Sequence, residues 1–422
     1  MKPIRFFVPL VLVLSLLVAA ARADVVSDWN AIAVQAGQAA AAPPGPAARV
    51  GPSIVVDVAM VHAAVYDAVQ AIEGKYEPYY VEIPGASGSP IAAAAKAAHD
   101  VLVSRYPNQS SQLDIAYQNY LASKGISPDD PGIAVGEKAA AGIIALRSCD
   151  GSFPDPSTPF TGGTGIGEWR PTTAGTTMAA PWLANTTPFM MTRPSQFRSD
   201  PPPPVGSQKY VRDLIEVMNY GSANSTYRTP FQTDMAQFWA GNTPVMMNQF
   251  VRTVSDTNTD NVADSSRLFA LSTMSMADAI IACWNDKIHY NYWRPITAIR
   301  TDDGFDRTPQ DPTWTSLIAA PAYPDYVSGA NAIGAATVHA LINTLGTDKV
   351  EFSLTTTNTG PTSQDTRSFT RLSQVSDELV DARIYLGIHF RFADTAARKL
   401  GRSVANYGDR NYFARATGKG NK

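Results

Sequence analysis

The sequence predicts an all-α protein built from helical bundles. Two observations lead there: apolar residues recur at three- and four-residue steps over long stretches, and no stretch alternates apolar with polar residues as strands do. No short-period repeat is present either, which sets solenoids and propellers aside. With 422 residues, 45% of them hydrophobic, the chain has enough apolar material for a well-buried core.

The elements follow in order. The first segment, MKPIRFFVPLVLVLSLLVAAARA, places Lys2 and Arg5 before an apolar run and ends in Ala21-Arg22-Ala23. A charged start, a run short of the ~20 residues of a bilayer span, and a small-x-small ending predict a secretion signal cut after Ala23. The mature chain, 24–422, is expected to be a single helical domain, secreted or periplasmic, with no stable membrane span. Its N-terminal helices occupy about 53–150. There, 53–72 carries Val58, Val61, Val65, Ala68 and Ile72 on one stripe, with Gly74 as its stop. Residues 91–104 and 133–147 are Ala-rich helices, the second weakened by Gly136 and Gly142. A connection rich in Gly, Pro, Thr and Ser covers about 151–205. Helical pattern returns over 208–218 and 233–239. It is strongest over 264–283, where Leu268, Leu271, Met274, Ala277, Ile281 and Trp284 share a face. Residues 330–345 and 376–407 complete the second half, about 206–412, the last with Leu379, Ile384, Ile388, Phe392, Ala396, Leu400 and Val404 on one stripe.

Charge and cysteine content narrow the function. Thirty-four basic residues against 37 acidic give a net charge of −3, and the leader would remove three cations more. Such a balance supplies no basic field for a nucleic-acid backbone. The two cysteines, Cys149 and Cys283, make neither a disulfide framework nor a metal cluster, and whether they meet stays open.

Three segments concentrate polar residues that a helical core does not need. In Lys287-Ile-His-Tyr-Asn-Tyr-Trp-Arg294-Pro295 the two cations are seven apart, which predicts one face of one helix. Flanking Trp284, Tyr290, Tyr292 and Trp293 predict that they are buried, and buried paired cations require an anion. In Tyr326-Val-Ser328-Gly329-Ala330 a hydroxyl and a glycine amide open a helix, offering backbone N–H groups to an anion. In Arg383-Ile-Tyr-Leu-Gly387-Ile-His389 another cation is followed by an imidazole, with Gly387 allowing close approach of the backbone. His62 and His99 read as hydrogen-bonded core residues, and His339 as structural. Asp278 and Asp286 are expected to pair with nearby cations.

In order and spacing these segments resemble the signature of the vanadium-dependent haloperoxidase and type 2 phosphatidic acid phosphatase superfamily. The helix containing MVHAAVYDAV and the segment Gly167-Glu-Trp-Arg-Pro171 resemble its bacterial and plant haloperoxidase-like branch. The resemblance implies two four-helix bundles around one tetrahedral oxyanion, vanadate or phosphate, held by Lys287, Arg294, Ser328, Gly329 and Arg383. His389 would be the axial ligand of vanadate, and His389 and Lys287 the catalytic residues. It implies hydrogen peroxide, a halide and a small organic acceptor as partners. The chain departs from the family pattern at Ala330, where an acid or base His is usual, at Ala382 for Ser, and at Asp394, one position late. An exported haloperoxidase-like enzyme is the leading expectation. A secreted acid phosphatase, or a catalytically impaired relative that binds phosphate or vanadate, is the alternative.

Overall fold

A computed structural model describes residues 24–40, 51–152, 159–360, 362 and 365–417. The expected leader, 1–23, lies outside them. The described chain is mostly helical: α1 Val25–Ala40, α2 Ile54–Glu73, α3 Pro90–Arg105, α4 Ser110–Ser123, α5 Pro131–Arg147, α6 Gln208–Tyr220, α7 Pro230–Phe238, α8 Thr243–Asn258, α9 Val262–Tyr290, α10 Pro295–Arg300, α11 Gly329–Leu345, α12 Ser373–Tyr385 and α13 Arg391–Asn411. The starts are written in the sequence. Ser89 and Asp130 cap α3 and α5 through the amides of Ala92 and Gly132, each with Pro as the first helical residue. Thr229 and Gln232 form a reciprocal capping box on α7.

Two bundles share one long helix. α2, buried at every position from Ile54 to Gln70, packs against α1, α3, α5 and α9. α11, buried over most of its length, packs against α8, α9, α12 and α13. Small residues set how closely these helices cross. A Cβ on Gly136 would lie 2.3 Å from the Ala93 carbonyl oxygen, and one on Gly401 2.2 Å from that of Ala332. The Ala-rich faces therefore bring α3 to α5 and α11 to α13 backbone against backbone. α2 and α9 are long and apolar enough to cross a membrane by length and composition, and both are buried in the fold.

Several expectations change. The helix carrying Lys287 does not continue to Arg294: α9 ends at Tyr290, Asn291 turns left-handed at φ 45°, and Arg294 precedes α10. The continuous stripe 376–407 is two helices, because Gly387 adopts φ 79° against the Gly221 carbonyl and redirects the chain. α1, α4, α8 and α10 were not anticipated. Nor was the hairpin β1 Phe352–Thr355 with β2 Thr366–Phe369, whose Phe352 and Phe369 stack 5.1 Å apart. Among the described residues Asp278 pairs with no cation but accepts the amides of Phe189, Met190 and Met191, pinning the described part of the Gly/Pro-rich connection to α9. Asp286 does pair, with Arg198 at 3.0 Å. Cys149 and Cys283 are both free, the first exposed and the second buried.

Candidate oxyanion site

The turn after α9, the loop before α11 and the turn between α12 and α13 converge beneath the second bundle. The Gly/Pro-rich connection holds the first of these in place: Glu168 bridges Tyr292, and the Trp293 amide donates to the Gly167 carbonyl. Thus GEWRP, singled out in the sequence, braces the cationic turn. Although Lys287 and Arg294 do not share a helix, both reach the same loop. Lys287 Nζ donates to the carbonyls of Pro324 (2.5 Å) and Asp325 (3.0 Å), and Arg294 Nε to that of Tyr323 (2.8 Å).

His389 meets them there, 1% exposed. Arg294 Nη1 donates to the Ile388 carbonyl and lies 3.1 Å from His389 Nε2, while His389 Nδ1 stands 2.8 Å from Asp325 Oδ1. The second approach is close without being a directional hydrogen bond. With its proton on Nδ1 the ring would turn a donor to the carboxyl and the Nε2 lone pair to the guanidinium. Burial first, and then Arg294, Lys287 and Arg383, hold the imidazole well below its ordinary pKa, so it is neutral at pH 7. Arg383, on α12, donates through Nη1 to the Trp239 carbonyl at 3.2 Å.

Ser328 and Gly329 open α11 as expected, but the serine hydroxyl makes no capping hydrogen bond to its amides. Asn331 donates to Asp394 Oδ1 at 2.8 Å, and the Ser328 hydroxyl is tied to the same Asn331–Asp394 pair. Asp394 therefore orders the serine rather than the imidazole. The carboxyl beside His389 is Asp325, which the sequence did not single out. Its signal is its place, three residues before the hydroxyl of the anion loop. Burial pushes Asp325 up to about 7, against the pull of Arg294 and Lys287. It also lifts Asp394 well above the carboxylate range. Three buried cations thus face carboxyls that burial drives toward neutrality.

What these residues fit is an anion. Arg294 Nη2 and Arg383 Nε are buried and have no partner among the described residues, a costly arrangement unless a ligand accepts from them. The first amides of α11 also lack intrahelical partners. Above the site opens a cleft of about 370 Å³, lined among others by Trp284, Tyr323, Gly329, Ala330 and Arg383. Burial lowers Lys287 to about 8, so anion affinity is expected to fall as pH rises through 8 and this cation loses its proton. Dissociation constants measured from pH 6.5 to 9 should show the step in the wild type and not in Lys287→Arg.

The histidines outside the site behave as expected from sequence. His62 contacts Asn30 at 2.9 Å and stacks on Phe269, and His99 lies between Asp100 and Asp114. His339 is partly buried on α11, and His289 is exposed beyond the Lys287 face.

Residues 267–414, which hold Lys287, Arg294, Ser328, Gly329, Arg383 and His389, match the family model described as the VCPO second helical-bundle domain. Over this segment, about a third of the chain, the sequence is similar to the second helical bundle that the family model describes. The vanadium chloroperoxidase of Curvularia inaequalis is similar, 32% identical over 190 residues that cover 37% of this chain and 31% of that protein. The chain thus spans less than a third of that relative's length. Over most of the chain the fold is similar to that of solved vanadium-dependent haloperoxidases. A bacterial vanadium-dependent iodoperoxidase superimposes with a TM-score of 0.77 at 20% identity, covering 93% of this chain and 98% of that one. A holo-type bacterial vanadium-dependent chloroperoxidase gives 0.69 at 18%, covering 88% and 94%.

Proposed function

We propose that this chain is a vanadate-dependent haloperoxidase-like enzyme, exported by its leader, that oxidises halide with hydrogen peroxide. The observation that carries the reading is the buried guanidinium donors of Arg294 and Arg383, without partners among the described residues, beside a neutral imidazole. Lys287, Arg294, Arg383, Ser328 and the Gly329 amide would hold the oxygens of vanadate, and His389 Nε2 would bind its metal. When bound, vanadate would supply the activation of peroxide toward halide without a change in its own oxidation state.

The protein's own part is electrostatic and positional. Fixed donors aimed at an oxyanion in a water-poor site act without reorganising, which is why such arrays dominate many catalytic rates. Asp325, 2.8 Å from His389 Nδ1, lies on the side of the ring away from Nε2 and the role proposed for it. The cleft at Ala330 admits the halide and a small organic acceptor.

Ala330 favours a second reading, in which the site binds vanadate or phosphate without turnover. A methyl group moves no proton, and losing a general acid or base typically costs about 10²–10⁴ in rate. The same loss weighs against an acid phosphatase, whose leaving group needs a proton. Halide oxidation measured with chloride, bromide and iodide, with and without orthovanadate, separates the readings. Halide oxidation that requires vanadate and falls with added phosphate supports the enzyme, whereas hydrolysis of a phosphate ester without vanadate, inhibited by vanadate, supports the phosphatase. Binding without either activity supports the impaired relative.

A further inference from the structure

Ala330 leaves no polar atom of its side chain where an imidazole would face the oxyanion, yet the cleft is not without a donor on that side. We propose that the hydroxyl of Tyr323 contacts the bound oxyanion from the cleft, taking the hydrogen-bonding part of the absent imidazole. This rests on the oxyanion-site reading above.

The Tyr323 side chain is fixed by the cradle itself. Its ring centroid lies 4.8 Å from the Arg294 guanidinium carbon, 5.0 Å from Lys287 Nζ and 4.9 Å from the Trp284 ring. Its carbonyl receives Arg294 Nε. The residue also lines the cleft together with Gly329, Ala330 and Arg383. The Tyr323 ring thus lies against Lys287 and Arg294, and the side chain faces the cleft that Arg383 also lines.

Nearby tyrosines are differently employed. The hydroxyls of Tyr290, Tyr292 and Tyr326 donate to the carbonyls of Ser199, Pro203 and Asp200, tying the connection down. Of the other polar residues lining the cleft, Asn242 caps α8 through the Val245 amide. A phenol donates one hydrogen bond but does not pass a proton as readily as imidazole near neutral pH. Tyr323 is thus suited to holding the anion more than to proton transfer.

Calorimetric titration of orthovanadate into the wild type, Tyr323→Phe and the double variant Tyr323→Phe/Ala330→His tests this directly. Phenylalanine keeps the ring against Trp284 and both cations, so far-UV circular dichroism and Tm should match the wild type. The expected result is a roughly tenfold weaker dissociation constant in Tyr323→Phe, as for loss of one charge-assisted hydrogen bond, regained largely by the imidazole at 330. Unchanged affinity in Tyr323→Phe overturns the proposal. Weakening that the double variant does not recover assigns the loss to packing and overturns it too. Failure of the wild type to bind orthovanadate overturns the site reading itself, and Tyr323's role with it.

Discussion

His389→Ala is expected to abolish vanadate-dependent halide oxidation and to weaken orthovanadate binding by at least about 10²-fold. The estimate follows from position. Residues that only orient a metal ligand typically account for 10–100-fold in affinity, and His389 is the side chain placed to bind the metal itself. The imidazole is neutral and buried, so removing it leaves a small cavity without stranding its own charge. The fold should therefore persist in far-UV circular dichroism while calorimetry reports the lost affinity. Vanadate-dependent turnover by the alanine variant would show that the chemistry lies elsewhere.

Arg294→Ala is expected to remove oxyanion binding and, unlike His389→Ala, to damage the fold. Arg294 is fully buried and joins three segments: it donates to the Tyr323 and Ile388 carbonyls, and it lies 3.7 Å from Asp325 and 3.1 Å from His389. Its removal strips the Asp325 carboxyl of its nearest guanidinium and leaves two carbonyls without that donor. Breaking a buried pair from one side typically costs about 3–5 kcal/mol, and each buried group left unsatisfied adds about 1–3 kcal/mol. Thermal unfolding should show a clear fall in Tm. Arg294→Lys should recover part of the stability but little of the affinity, because a single ammonium does not reproduce the guanidinium fork. A wild-type Tm and wild-type vanadate affinity in Arg294→Ala would contradict the site.

These expectations join features that were readable in the sequence to others that were not. The stripe from Leu268 to Trp284 is a local signal, and the helix it predicts is present. The site residues were legible because three polar segments interrupt an otherwise apolar pattern in a fixed order. The end of α9 was not, since Asn291 takes a left-handed conformation with neither Gly nor Pro to mark it. The break at Gly387 was hidden inside a stripe whose two halves happen to stay in phase. Asp325 and Tyr323 were missed for a different reason. Their meaning lies in distances to His389 and Arg294, residues far along the chain, and no periodicity encodes such distances. Asp278 shows the same limit: its partners are backbone amides, which a sequence does not display.

The central claim is that Lys287, Arg294, Arg383 and His389 form an assembled cradle for a tetrahedral oxyanion despite Ala330. Calorimetric titration of orthovanadate into the protein, repeated in excess phosphate, tests it most directly. The account predicts saturable one-to-one binding that phosphate displaces. Absence of saturable binding, or binding indifferent to phosphate, would contradict it.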